Sequence, residues 1–274
     1  MRRRAIAAAV LALACARTVQ AGQPARIQDG GIVRGLVDRK LIALEFTGHE
    51  FAEGGTSILD ELARHHARAS FFLTGDFLRR AEFAAIVGRI VADGHYLGPH
   101  SDKHLQYCGW EAGKKTLVTR DALRRDLDAN VREIERFGVP RKAIRYWVPA
   151  YEWYNGDIAA WSAEMGLQLV NLTPGTKSSA DYTGEADKNF VRSQDILDSI
   201  LARERTDQDG LNGFLLLMHI GAGPGRADKM HDRLGALVDA LVARGYRFVR
   251  VDELLGDTKV STLRVLRGSP FRSP

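Results

Sequence analysis

His100 and His104 stand four residues apart in the segment Gly98-Pro99-His100-Ser101-Asp102-Lys103-His104. Neutral imidazole is the commonest metal-binding side chain, and two from one short turn can share a zinc-sized ion. The Gly-Pro ahead of them disfavours a regular helix, so the pair belongs to a turn. Two other stretches strengthen the signal. Ala69-Ser70-Phe71-Phe72-Leu73-Thr74-Gly75 lies upstream, and Leu217-Met218-His219 ends an apolar run downstream.

These residues need elements to carry them. Apolar runs of strand length alternate with amphipathic helical stretches. Leu41 to Phe46 reads as a strand and Thr56 to Arg68 as a helix, followed by a strand over Ala69 to Leu73. Ala81 to Asp93 is a helix closed by Gly94, and His95 to Leu97 is a short strand. Thr119 to Phe137 places Leu123, Leu127, Val131 and Ile134 at helical spacing, and Gly138 stops it. The rhythm continues with a strand at Ala143 to Val148, a helix at Asn155 to Met165 and a strand at Leu167 to Leu172. Thr173 to Asn189 is a polar loop without a period. Ser193 to Arg203 is a helix, Gly213 to His219 a buried strand, Asp232 to Arg244 a helix and Tyr246 to Val251 a last strand. Strands separated by helices of this length imply parallel pairing through crossover helices. About seven such units favour one α/β barrel, closed or nearly so, over two domains.

The chain has 274 residues and is 45% hydrophobic, enough for a sizeable core. Arg2, Arg3 and Arg4, the apolar run Ala5 to Ala14 and the small-residue site Val19-Gln20-Ala21 read as a secretion signal over residues 1–21. That run is too short for a permanent membrane span, and no other stretch approaches the length needed. Ala12-Leu13-Ala14-Cys15 weakly resembles a lipoprotein processing site, which would leave Cys15 lipidated. Removing residues 1–21 takes away four arginines and no acid, which accounts for most of the formal +5 charge. The basic balance is therefore no argument for nucleic acid. Cys108 is the one cysteine outside the signal, which excludes a disulfide framework, and it reads as a packed or half-exposed thiol rather than a nucleophile. The expected organisation is a signal at 1–21, a lead-in at 22–40, the barrel at 41–256 and a tail at 257–274. The expected location is periplasmic or extracellular.

The order of these motifs resembles polysaccharide deacetylases, the NodB-homology domains of carbohydrate esterase family 4. It rests on the Phe-Phe-Leu-Thr-Gly strand end, the Gly-Pro-His-Ser-Asp-Lys-His turn, Leu-Leu-Leu-Met-His and the closing Gly245-Tyr246-Arg247-Phe248-Val249. The resemblance covers Leu41 to Leu255. It implies a distorted (β/α)7 barrel, a divalent metal (usually zinc), and hydrolysis of N- or O-acetyl groups on an acetylated glycan. It implies that His100 and His104 are metal ligands and that His219 protonates the leaving amine or alkoxide, a task suited to an imidazole. It further implies that the backbone N–H of Tyr151 helps to hold the oxyanion.

Two motifs depart from the family. Its first motif carries two aspartates, one the base and the next a metal ligand, where this chain has Thr47 and Gly48. Its third motif carries an arginine where this chain has Val148, in Trp147-Val148-Pro149-Ala150-Tyr151. The changes agree with one another. In the family that arginine holds the basic aspartate, and a buried arginine without its partner would cost about 3–5 kcal/mol. Loss of both points to a rebuilt site. His49 and Glu50 follow directly and can reach the same mouth: either could be the third ligand, and we assign His49 to that place and Glu50 to the base. Glu45 and Asp102 are weaker candidates. Trp147, Trp153 and Tyr154 are candidate rings for stacking on sugar, and Asp181 in the polar loop is a candidate to orient His219. Two rival expectations stand beside deacetylation: an inactive barrel that binds glycan, and hydrolysis of another non-peptide C–N bond.

Overall fold

A computed structural model describes residues 25–256. The expected signal, with Cys15, and the whole tail at 257–274 lie outside the described residues. The stretch read as a lead-in carries an antiparallel hairpin, β1 (Arg26–Gln28) and β2 (Gly31–Arg34). Every residue of β2 is buried, and Ile32 bridges to Val170, so the hairpin is part of the body.

The central strand is β3 (Leu41–Gly48), which is buried along its whole length. It is followed by α1 (Gly55–Arg64), β4 (Ser70–Leu73), α2 (Gly75–Arg79), α3 (Ala84–Ala92) and β5 (Tyr96–Pro99). Next come α4 (Arg120–Glu135), β6 (Tyr146–Trp147), α5 (Gly156–Glu164) and β7 (Gln168–Leu169). The chain closes with α6 (Ser193–Thr206), β8 (Phe214–His219), α7 (Leu234–Val242), β9 (Arg247–Phe248) and α8 (Val251–Leu255). Among these, β3 pairs in parallel with β4, β8 and β9, β4 with β5, and β6 with β7. The ring is completed by single hydrogen bonds. Val148 N–H donates to Pro99 O (3.2 Å) and Thr173 N–H to Leu215 O (2.9 Å). The result is the parallel α/β fold that the alternation predicts, made irregular by three strands of only two residues.

Side chains along β3 alternate between two cores. Ile42, Leu44 and Phe46 pack outward with Ile58, Leu59 and Leu62 of α1. Each such apolar side chain contributes about 1.5–3 kcal/mol on burial. Leu41 and Ala43 face inward with Phe72, Tyr96, Tyr146, Val148, Val170, Leu215 and Leu217. Three helices open on a side-chain cap: Thr74 for α2, Thr119 for α4 and Asn155 for α5. Gly94 and Gly138, read as helix stops, adopt φ of +76° and +84° after α3 and α4.

Several boundaries differ from the sequence reading. The last strand is β9 alone, and Val251 instead starts α8, where its N–H donates to Ser70 Oγ (2.8 Å). The helix read over Asp232 to Arg244 begins as a 3-10 turn, Met230–Arg233, ahead of α7. The polar loop holds another 3-10 turn, Ser178–Tyr182, whose single turn leaves no period to read.

Alternation also puts Glu45 on the inward side of β3. It is fully buried, and neither carboxyl oxygen has a hydrogen-bond partner. Burial, with the Glu152 charge adding to it, pushes its pKa up to about 8. The folded state therefore holds a proton that the unfolded chain releases above about 4.5, and its stabilising effect fades as pH rises towards 8. Thermal melting of wild type and Glu45→Gln at about pH 5 and about pH 8 checks this. The variant is expected to gain stability relative to wild type at the higher pH. An equal difference at both would show that Glu45 does not titrate across this window.

Candidate active site

The strand ends carry the chemistry. Thr47 at the end of β3 pairs with His219 of β8, Gly48 pairs with Leu73 of β4, and Leu73 with Pro99 of β5. That register brings the ends of four strands level, with the histidine turn directly beyond β5. A cavity of about 360 Å³ opens there. Its lining includes His49, Glu50, His100, His104, Tyr151 and His219, the six residues assigned catalytic or ligand roles from the sequence, but not the weaker candidates Glu45 and Asp102. It also includes Trp110, Glu152 and Tyr182, which the sequence reading did not single out.

The histidine turn is held by α4. Asp126 and Asn130, one helical turn apart, lie on the buried face of that helix. Asn130 Oδ1 accepts from His100 N–H (2.8 Å), while its amide donates to Leu73 O (3.1 Å). Asp126 accepts from Asp102 N–H (3.0 Å), Lys103 N–H (3.3 Å) and Tyr107 OH (2.6 Å). The turn needs this support because Ser101 and His104 adopt φ of 72° and 53°. Each such non-glycine residue costs on the order of 1–3 kcal/mol. Polar residues within an apolar helical stripe were the available signal for this clamp. Asp102 itself points elsewhere, to Arg79 Nη1 at 2.7 Å, and serves structure.

His100 is buried, and its Nδ1–H donates to Val148 O (3.0 Å). Nε2 then carries the free lone pair. A hydrogen-bonded second nitrogen is what orients an imidazole as a metal ligand. Burial and the nearby His104 hold the His100 pKa well below its usual value, and burial takes His104 down to about 4. Both are neutral at neutral pH, as ligands must be. Facing His100 Nε2 at 4.0 Å is Glu152 Oε1, a buried oxygen without a hydrogen-bond partner. Burial lifts the Glu152 pKa to about 7. By residue type alone, two neutral imidazoles and a carboxylate are donors that a divalent metal accepts.

His49 enters differently. Its ring stacks on His104 with centroids 4.6 Å apart and planes 11° apart. Imidazole binds an ion in its ring plane, so two stacked rings in this arrangement cannot share one. Among the described residues, no group of three or more His, Cys, Asp or Glu is disposed to hold an ion as it stands. Gly48, at the position of the family's ligand aspartate, has no space for a side chain. A Cβ there would meet Ile220 Cγ2 at 2.7 Å and Leu73 Cδ2 at 2.8 Å.

Across the cavity, His219 Nδ1–H donates to Asp181 Oδ1 (2.7 Å), and His219 N–H donates to Asp181 Oδ2 (2.8 Å). The structure thus pairs the loop aspartate with the histidine as expected. Burial pulls the His219 pKa down, but the Asp181 charge and hydrogen bond, with Glu152, more than offset this and leave it raised. Tyr151 and Glu152 both adopt left-handed backbone, with φ of 61° and 52°. Glu50 is exposed at the mouth, and its carbonyl accepts from Arg80 (3.0 Å).

The aromatic candidates divide. Trp147 is fully buried, and Tyr154 is buried with its hydroxyl donating to Gln28 O (2.8 Å). Both belong to the core, so neither can stack on a sugar, contrary to the sequence expectation. Trp153 is half-buried and donates to Gly109 O (2.8 Å), with the exposed Trp110 tilted beside it at 5.6 Å. Trp110 also meets Tyr151 edge-on at 5.7 Å. Cys108 is buried and free, as expected.

Residues 36–170 match the model of a family described as polysaccharide deacetylase. A chitooligosaccharide deacetylase of Sinorhizobium fredii is 28% identical over 199 residues, 69% of this chain and 80% of that protein. A peptidoglycan-N-acetylglucosamine deacetylase of Bacillus cereus is 26% identical over 219 residues, 80% of this chain and 69% of that protein. Among solved structures, a carbohydrate esterase family 4 pseudoenzyme from Bacillus anthracis matches with a TM-score of 0.63 at 19% identity. The match covers 84% of this chain and 70% of that one, and shows a shared fold.

Two substitutions test the site's supports. Asn130→Ala strands His100 N–H and Leu73 O, and is expected to lower stability by about 2–4 kcal/mol in denaturant unfolding. Gly48→Asp is expected to destabilise by about 1–3 kcal/mol through overpacking, with no gain in zinc affinity by equilibrium dialysis. A stable Gly48→Asp protein with tighter zinc binding would show that the space behind Gly48 yields.

Proposed function

The chain belongs to the polysaccharide deacetylase family, and from that premise we propose that it is an exported, divalent-metal-dependent hydrolase that removes N- or O-acetyl groups from a carbohydrate. The observation that carries the reading is the arrangement of the cavity. His100 presents a free Nε2 on one side, and the Asp181-held His219 presents its own Nε2 on the other.

A divalent ion held by His100 and His104 would polarise the acetyl carbonyl and favour attack by water near neutral pH. Glu50 accepts the attacking water's proton at the mouth. The N–H of Tyr151 donates to the developing oxyanion, a role that needs only the main chain. His219, whose pKa the Asp181 carboxylate raises, delivers its Nε2 proton to the departing nitrogen or oxygen. Trp110, with Trp153 beside it, offers an exposed ring at the mouth for the face of a sugar. The segment Arg2 to Ala21 supports export to the periplasm or beyond, where acetylated envelope glycans are found.

Thr47 and Gly48 in place of the two aspartates favour a second reading, a barrel that binds glycan without turnover. Acetate release separates the two. Purified protein with added zinc is expected to release acetate from N-acetylated chitooligosaccharide or peptidoglycan fragments. His219→Ala should lower kcat by about 10²–10⁴, Glu50→Gln should slow the reaction, and His100→Ala should abolish it. Zinc-loaded protein that binds these glycans but releases no acetate would establish the second reading.

A further inference from the structure

The Arg226 guanidinium is wholly buried, and the acceptors it meets are neutral. Nε donates to Asp228 O (2.6 Å), Nη1 to Thr183 O (2.9 Å), and Nη2 to Val191 O (2.8 Å) and Ser193 Oγ (2.9 Å). The Asp228 carboxylate stands off at 3.8 Å and accepts instead from Ser193 N–H (2.6 Å). The Phe190 ring covers the guanidinium at 4.9 Å. A buried charge is costly even when hydrogen-bonded, so the worth of this one lies in what its fork joins.

The fork joins the two segments that make the Asp181–His219 pair. Thr183 directly follows the turn Ser178–Tyr182, which carries Asp181. Val191 and Ser193 stand at the far end of the same loop, where α6 begins. Arg226 itself lies on the chain that leaves β8 after His219. A second tie runs beside it. Glu185 accepts from Ala227 N–H (2.9 Å) and Asp228 N–H (3.0 Å), and its own N–H donates to Gly225 O (3.0 Å). Both carboxylate oxygens of Asp181 are spent on His219, so the backbone that carries Asp181 must set its place.

Resting on the reading of His219 as the proton donor, we propose that Arg226 is a positioning residue for the reaction. It locks the loop of Asp181 to the exit of β8, and so keeps Asp181 aimed at His219.

The test reads the Asp181–His219 contact itself. It is made at one pH, so that Glu152, His100 and His104, which also bear on His219, keep one charge state. In isotope-labelled mature protein, NMR follows the His219 Nδ1–H resonance, assigned by its loss in Asp181→Asn. It also follows amide exchange at His219 and at Leu216, in the middle of β8. Arg226→Lys keeps the charge but not the planar fork. It is expected to shift or remove the Nδ1–H resonance and to speed exchange at His219 at least about tenfold, with Leu216 unchanged. Glu185→Ala, a change at an exposed residue, is expected to act in the same direction by a smaller factor. An unchanged resonance and unchanged His219 exchange in folded Arg226→Lys would overturn the proposal. So would equal acceleration at His219 and Leu216, the mark of a general loss of stability. If Arg226→Lys does not fold, Glu185→Ala decides by the same readings. A His219 contact that depends on Arg226, in protein that releases no acetate, would leave the positioning role standing and sink only the deacetylase reading.

Discussion

Pairing of β3 on both of its edges is the constraint from which the site follows. A parallel strand with neighbours on either side has its register set by ladders in both directions. Here those ladders place Thr47 beside His219 and Gly48 beside Leu73, and β4 in turn carries Pro99 to the same level. Because all these strands run in parallel, their C-terminal ends and the loops beyond them gather on one side. The histidine turn, the loop after β6 and the end of β8 come from distant parts of the chain. They meet because the strands before them are in register.

What the strands bring near, side chains from the helices then aim. Asn130 couples His100 to the end of β4, and Asp126 fixes the two residues after Ser101. Such buried polar contacts are costly if half-made and rigid when complete. They brace the turn in which Ser101 and His104 adopt left-handed backbone, and on the facing loop, where Tyr151 and Glu152 are left-handed too, Asn171 donates to Glu152 O (2.7 Å). Strain of this kind persists only where the surroundings over-determine it.

Burial also sorts the charges. Desolvation drives His100 and His104 to the neutral form and raises the acids Glu45 and Glu152. His219 resists the same trend because Asp181 faces it at 2.7 Å. One cavity thus holds two imidazoles kept neutral by burial and a third whose affinity for its proton is raised by a carboxylate. The difference lies in which partner each ring's Nδ1 meets: a carbonyl for His100, a carboxylate for His219.

Much of this was legible in the residues alone. The period of the apolar runs determined an α/β chain of parallel strands, and the spacing of His100 and His104 marked the turn as a site. His219 was readable from its place at the end of an apolar run, and Asp181 was a candidate although its loop shows no period. Glu152 was not readable, because neighbours in sequence say nothing about a 4.0 Å approach to a histidine 52 positions away. Trp147 and Tyr154 looked no different from Trp110 as aromatic residues, and only packing decided that the first two are core and the third exposed. Local sequence dictates backbone period and residue chemistry through short-range sterics and side-chain type. Which lone pairs face one another, and which rings reach solvent, depends on strand register and long-range packing, and those exist only once the barrel has closed.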